Sequence, residues 1–244
     1  MNFDNIILKK EGDIATLTLN RPELLNAISR QAFDELAEAL AEIAKDKDIK
    51  VMVLTGAGSS FCSGGDLSEQ YPQAYGGSVQ NVSNFFHEAY KGTILRLYNL
   101  DIPTIAMING PAMGLGFDIA LACDLRIGSE NARFMVAFTR IALTPATGGA
   151  WLLPRIVGLP KAAELIYTAN SLEAEEALRL GILNRLVLSS ELEKETMALA
   201  QRISRNSPLA NRLAKLQLHK GLQTDLEAAL ELGAICQAIG ITSE

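Results

Sequence analysis

The chain has 244 residues, of which 48% are hydrophobic and 20% charged, as is typical of a globular protein with one large core or with one domain and a small appendage. Its net charge of −6 and the lack of a basic run argue against a nucleic-acid-binding surface, and its three cysteines lack the spacing of a disulfide framework or a metal site. No apolar run reaches transmembrane length and the first ten residues do not resemble a signal peptide, so we expect a cytoplasmic protein without membrane contact.

The N-terminal part alternates between strand and helix patterns. Residues 6–9 and 14–19 are separated by a turn and predict a hairpin. Ser29 is a suitable N-cap for a helix reaching residue 45, because apolar residues then recur on one face. The next strand is predicted at 51–54. This alternation indicates an α/β fold with parallel strands and right-handed crossovers.

The elements of the middle and C-terminal parts follow in order. Residues 66–77 hold several turn-forming residues and predict a mobile loop. The remaining predictions are a helix at 79–100, strands at 103–108 and 125–128, an irregular apolar stretch at 134–143, helices from about 147, at 158–169 and at 172–180, and helix from 191 onward with breaks near 207 and 221.

Two glycine-rich turns follow predicted strands and precede helix starts. One spans residues 56–66, and the other begins at Asn109 and contains Gly110, Gly114 and Gly116. Such turns leave backbone N–H groups unpaired at the positive end of a helix dipole. They could serve strand–helix packing alone, or they could hold an oxygen that becomes negative during a reaction.

These turns and their surroundings resemble the crotonase (enoyl-CoA hydratase/isomerase) superfamily. The matching stretches occur in the family's order from residue 20 to residue 181 and are individually weak but jointly specific. They are Asn20-Arg-Pro-Glu-Leu-Leu-Asn-Ala27, Phe61-Cys-Ser-Gly-Gly-Asp66, Asn109-Gly110, Gly114-Leu-Gly116, Ala122-Cys-Asp124 and Gly148-Gly149 with Leu153-Pro-Arg-Ile-Val-Gly158.

The resemblance implies the fold and the assembly. We expect a crotonase-like core of stacked ββα units over residues 1–185 and a helical C-terminal part over 186–244. In the family this part builds a homotrimer or a dimer of trimers. Many relatives continue beyond the position of Ser243 with a last helix, which we expect this chain to lack.

The family chemistry is stabilisation of a thioester enolate by two backbone N–H groups, which fall at Gly65 and Leu115 here. Hydratases of the family also use two glutamates. The first falls at Asp118 and the second at Phe138, and the aspartate that other members carry before the Gly-Gly turn falls at Ala146. Asp118 is thus the remaining candidate acid or base, unless its carboxylate only caps or pairs inside the fold.

Further candidates come from the predicted helix 79–100 and from nearby loops. Some relatives with unusual chemistry draw a His or Lys from this helix, although a surface pair is the alternative reading. The candidates for catalysis or for lining the acyl pocket are His87, Tyr90, Lys91, Thr144 and Thr147, with Glu69, Tyr71 and Tyr75 in the loop.

The resemblance also implies where coenzyme A would lie. Backbone groups of Asn26, Ala27, Cys62, Ser63 and Gly64 are expected to bind it, and Cys62 is otherwise read as a packing residue. Arg21, Arg30, Lys215 and Lys220 are candidates for its phosphates, whereas Asp66 and Asp124 are interpreted as structural.

Three functions remain open from the sequence. The first is hydration or isomerisation of an enoyl thioester, delivered by CoA or by an acyl-carrier protein and needing no cofactor apart from the CoA of the substrate. The second is decarboxylation or hydrolysis of an activated acyl thioester in the same site, which the apolar Phe138 would suit. The third is a CoA-binding paralogue that has lost catalysis.

Overall fold

The protein is described by a computed structural model that covers residues 3–68 and 78–243. Its strands are β1 Ile6–Glu11, β2 Ile14–Leu19, β3 Val51–Gly56, β4 Thr104–Ile108, β5 Ala112–Met113, β6 Leu125–Ser129, β7 Arg133–Met135, β8 Leu172–Glu173 and β9 Arg185–Val187. Its α-helices are α1 Arg30–Lys45, α2 Val79–Gly92, α3 Ile94–Tyr98, α4 Leu115–Ala122, α5 Gly149–Val157, α6 Leu159–Thr168, α7 Ala174–Arg179, α8 Leu192–Ser204, α9 Pro208–Gly221 and α10 Leu226–Thr242.

The strands form one large sheet and one small sheet. The large sheet has the order β1-β2-β3-β4-β6-β9, with β1 antiparallel to β2 and the other pairs parallel. The small sheet has the order β5-β7-β8. The predicted hairpin and the predicted parallel strand pairing are confirmed, and β3 and β4 end beside each other, which brings the two glycine-rich turns together.

Helices cover both faces of the large sheet. The apolar side of α1 enters the main core with α4, and Ser29 caps α1 by accepting a hydrogen bond from the Ala32 N–H at 3.1 Å. On the opposite face, α8 packs against β2, β3, β4 and β6, where Leu192 and Leu199 join a second buried cluster. In its packing, α8 therefore belongs to the core, although the predicted division after residue 185 assigns it to the C-terminal part.

Two predicted helices differ from the structure. The helix predicted at 79–100 is interrupted at Thr93, which follows Gly92, a weak helix former. The helix predicted at 172–180 begins only at Ala174, because Leu172 pairs with Phe134 in the small sheet. Part of the stretch 134–143 is therefore strand, and a 3₁₀ turn follows at Ala137–Ile141.

The C-terminal helices α9 and α10 pack against each other and expose many large apolar side chains. These are Leu216, Leu218, Leu226, Leu230, Ile235, Ile239 and Ile241, and Leu222 in the connection between the two helices is exposed as well. Among the described residues, no helix combines the length and the apolar character needed to cross a membrane.

Candidate active site

The side chain of Asn26 stabilises the first glycine-rich turn by hydrogen bonds. Its side-chain amide donates to the Ala57 carbonyl at 2.8 Å and to the Ser60 carbonyl at 2.7 Å. The turn also requires glycine at position 56, because a Cβ there would overlap the backbone of the turn. Asn26 is buried, so its side chain stabilises the turn and is not directed towards a ligand.

The second turn lies directly against the first. The Phe61 and Cys62 N–H groups both donate to the Pro111 carbonyl, and the Met113 N–H donates back to the Cys62 carbonyl at 2.9 Å. A Cβ at Gly116 would overlap Cys62, so this approach needs glycine. Burial raises the pKa of the Cys62 thiol to about 12, which supports its interpretation as a packing residue.

Two backbone N–H groups at this junction have no acceptor among the described residues. Ile28 bridges the first turn by donating to the Gly64 carbonyl and accepting from the Asp66 N–H, which leaves the Gly65 N–H on the opposite side. Leu115 is the first residue of α4, where an N–H has no partner within the helix. Within residues 3–68 and 78–243, neither the Gly65 nor the Leu115 N–H donates a hydrogen bond.

Gly65 and Leu115 both line a cavity of about 170 Å³. Its other lining residues are Phe33, Phe86, Tyr90, Phe138, Leu143, Thr144, Ala146 and Thr147. No carboxylate from the described part of the chain is among them. The ring of Phe138 lies 3.7 Å from where a Cβ on Gly114 would be.

Asp118 lies behind the wall of this cavity. It is 0% exposed, and its Oδ2 accepts a hydrogen bond from the Thr147 hydroxyl. Burial raises the pKa of Asp118 to about 7, and the Thr147 hydroxyl and the Gly149 N–H oppose this rise. Asp118 thus does not line the cavity, whereas Thr147, its hydrogen-bond partner, does.

A larger cavity of about 500 Å³ adjoins the first and shares Tyr90, Ala146 and Thr147 with it. His87 and Lys91 line this larger cavity, and Thr144 lines only the smaller one. Sequence reasoning did not single out Tyr98 or Trp151, whose rings meet edge to face with centroids 5.6 Å apart. The spacing of residues 87, 91, 94 and 98 would have indicated a common helical face that includes Tyr98.

The predicted CoA-binding stretch is largely engaged in internal hydrogen bonds. The Ala27 carbonyl accepts from Arg21 at 2.7 Å, and the Ser63 N–H donates to the Leu25 carbonyl at 2.9 Å. The Gly64 carbonyl accepts a hydrogen bond from the Ile28 N–H. Arg21 also pairs with Asp66 at 3.1 Å, which agrees with a structural role for that carboxylate.

Lys215 does not suit the predicted phosphate contact, because its ammonium group is buried. It donates to Asp124 at 2.7 Å and to the Ile102 carbonyl at 3.0 Å. Asp124 also accepts from Thr104, which agrees with its interpretation as structural. Lys220 lines the larger cavity, and Arg30 is exposed. Glu69, Tyr71 and Tyr75 lie outside the described residues.

Metal ligation has no evident basis in the part of the chain that the structure describes. There, no group of three or more His, Cys, Asp or Glu side chains is placed to hold an ion.

Comparisons with known proteins agree with this architecture. A sequence profile of the enoyl-CoA hydratase/isomerase family matches residues 9–238. The chain is 39% identical to a short-chain-enoyl-CoA hydratase of Clostridium acetobutylicum, covering 94% of this chain and 87% of that protein. It is 33% identical to a 1,2-epoxyphenylacetyl-CoA isomerase of Escherichia coli, covering 93% and 86% of the two chains.

Solved structures give the same result. The crystal structure of an enoyl-CoA hydratase from Bacillus anthracis superposes with a TM-score of 0.92 at 33% identity, covering 99% of this chain and 92% of that one. The glycine-rich turns, the parallel sheet and these matches lead to one assignment. The chain has the crotonase fold and belongs to the enoyl-CoA hydratase/isomerase family.

Proposed function

We propose that this protein catalyses proton transfer at the α carbon of an acyl-CoA thioester, as in double-bond isomerisation. The observation that carries the proposal is that Gly65 and Leu115 line one cavity and that neither N–H donates a hydrogen bond to a described residue. An enolate oxygen bound there would meet two donors that need no rearrangement as the charge develops. CoA is then part of the substrate, and the reaction needs no other cofactor.

Isomerisation suits the cavity better than hydration does. Hydration needs one group to activate water and another to serve the α carbon. The wall carries Phe138 where a second carboxylate would be needed, and Asp118 is covered by Thr147. We therefore expect slow hydration of crotonyl-CoA in comparison with hydratases that have two glutamates.

Exchange of α protons for deuterium in D₂O, followed by NMR on phenylacetyl-CoA and butyryl-CoA, tests enolate formation directly. Leu115→Pro removes one donor, because proline lacks an N–H yet fits the first position of a helix. Leu115→Ala is the matched control, since it loses the same side chain but keeps the N–H. We expect Leu115→Pro to exchange roughly 10²–10³-fold more slowly than Leu115→Ala. Equal rates in two folded variants would contradict the proposed site.

Decarboxylation is the second candidate, and the apolar surface of Phe138 and Leu143 favours it. Loss of CO₂ from a malonyl-type thioester leaves an enolate without any need for a carboxylate base. Release of CO₂ from methylmalonyl-CoA, without exchange on phenylacetyl-CoA, would select this reaction. Tight binding of acyl-CoA with neither reaction would instead indicate a paralogue that binds CoA without catalysis.

The exposed apolar side chains of α9 and α10 suit subunit contacts, and we propose assembly into a homotrimer or a dimer of trimers. Burying such side chains is favourable by about 25 cal/mol per Å². Analytical ultracentrifugation of the intact chain and of Leu230→Asp tests this assembly. A stable monomer of the unmodified protein would contradict it.

A further inference from the structure

Asp118 can reach a bound substrate only through another side chain. It lines neither cavity, and its Oδ1 has no hydrogen-bond partner among the described residues. Its Oδ2 is held by the hydroxyl of Thr147. Thr147 in turn lines both cavities, at the point where they join. A direct transfer between Asp118 and a substrate would require the Thr147 side chain to move away.

The geometry points to a proton relay in which the Thr147 hydroxyl is the catalytic group and Asp118 acts through it as a positioning residue. This inference rests on the proposed enolate chemistry. In the forward step the substrate Cα–H bond breaks, and its electron pair forms the enolate held by the two N–H groups. The leaving proton bonds to Thr147 Oγ1 while the original hydroxyl proton passes to Asp118 Oδ2.

The return step reverses these movements and completes the isomerisation. The protonated Asp118 gives its proton back to Thr147 Oγ1, and the other hydroxyl proton bonds to the substrate carbon that gains hydrogen. Thr147 is a neutral hydroxyl before and after each step, so no free alkoxide forms. Over the whole reaction no atom or electron is gained or lost.

The surroundings of Asp118 suit a group that takes and returns a proton. Burial raises its pKa to about 7, so both of its protonation states are accessible near neutral pH. The opposing influences are the Thr147 hydroxyl and the Gly149 N–H, both from the segment that begins α5. No ionisable side chain of the described residues contributes to the shift.

The relay is tested with α-proton exchange on phenylacetyl-CoA in Thr147→Val and Thr147→Ser. Valine keeps the shape and removes the hydroxyl, whereas serine keeps the hydroxyl. We expect Thr147→Val to lose roughly 10²–10⁴-fold in exchange rate and Thr147→Ser to stay within about tenfold of the unmodified protein. Dissociation constants for the thioester should change only a few-fold, and Thr147→Ala replaces Thr147→Val if the latter does not fold.

Two more readouts separate a relay from a structural role. The unmodified protein should show an inflection in exchange rate near pH 7, and Thr147→Val should lose it. Adding Asp118→Asn to Thr147→Val should cost little more, because residues that act as one unit are not additive. Exchange in folded Thr147→Val at the rate of Thr147→Ser would overturn the relay alone. If the unmodified protein exchanges no α protons, the proposed function fails together with the relay.

Discussion

The carboxylate of Asp118 lies against the α carbon of Gly149. A Cβ added to Gly149 would overlap Asp118 Oδ1, so no other residue fits there without displacing the buried carboxylate. The first turn of α5 and the middle of α4 are therefore in contact here. This contact also determines the position of the Asp118 carboxylate.

Gly149→Ala should accordingly destabilise the protein by about 1–3 kcal/mol, as overpacking of a buried site does. The control is Gly240→Ala in α10, where a Cβ would meet nothing within 4 Å and alanine favours the helix. Urea denaturation of both variants measures the difference. A loss in Gly149→Ala no greater than that in Gly240→Ala would contradict this packing.

Asp118→Asn should change how stability depends on pH. The pKa of Asp118 is raised from 3.8 to about 7 in the folded protein, so the stability that its protonated form contributes is complete below about pH 4 and is lost as pH rises to 7. Asparagine does not titrate. Relative to that of the unmodified protein, the free energy of unfolding of the variant should rise by roughly 1 kcal/mol per pH unit between pH 5 and 7. Above pH 8 the difference should not increase further. Denaturation curves at four pH values test this, and a constant offset would contradict it.

The ion pair of Lys215 and Asp124 should stabilise the contact between α9 and the core. Burial raises the pKa of Asp124, but His219, Lys215 and Thr104 outweigh this effect and hold it below the usual value. Lys215→Met leaves the carboxylate without its ammonium partner, and we expect a loss of about 3 kcal/mol in the free energy of unfolding. Lys220→Met, an exposed lysine of the same helix, is the control and should change it by less than about 0.5 kcal/mol. Equal effects would show that the buried pair contributes nothing specific.

Phe138→Glu should increase hydration of crotonyl-CoA. It introduces a carboxylate into the cavity lined by Gly65 and Leu115, at the position where the resemblance implies the second glutamate of the hydratases. We expect at least a tenfold increase, measured by loss of enoyl absorbance, because a placed general base typically contributes 10²–10⁴-fold. The control is Phe138→Gln, because glutamine has nearly the same shape as glutamate but lacks the basic group. An equal increase in hydration by Phe138→Gln would attribute the effect to the smaller side chain alone.

Much of the fold could be predicted from the sequence. The apolar patterns of the strands and helices are regular, and the several glycines in each of two segments indicate turns. The position of the Asp118 carboxylate could not. Every residue of α4 is buried, so its sequence has no polar side from which to infer which way Asp118 points. Its contact with Thr147 joins residues 29 positions apart, and no local pattern indicates such a pair.

The dependence of Gly65 and Leu115 on two interlocked turns has a consequence for folding. The donors are 50 positions apart in sequence and are brought together by contacts such as those of Cys62 with Pro111 and Met113. A chain with either turn undocked would have both peptide groups but no common pocket for an oxygen. During refolding, catalysed exchange of the substrate α protons should return only after these turns have docked, later than the helical circular dichroism signal. The time at which this activity returns therefore reports when the turns dock.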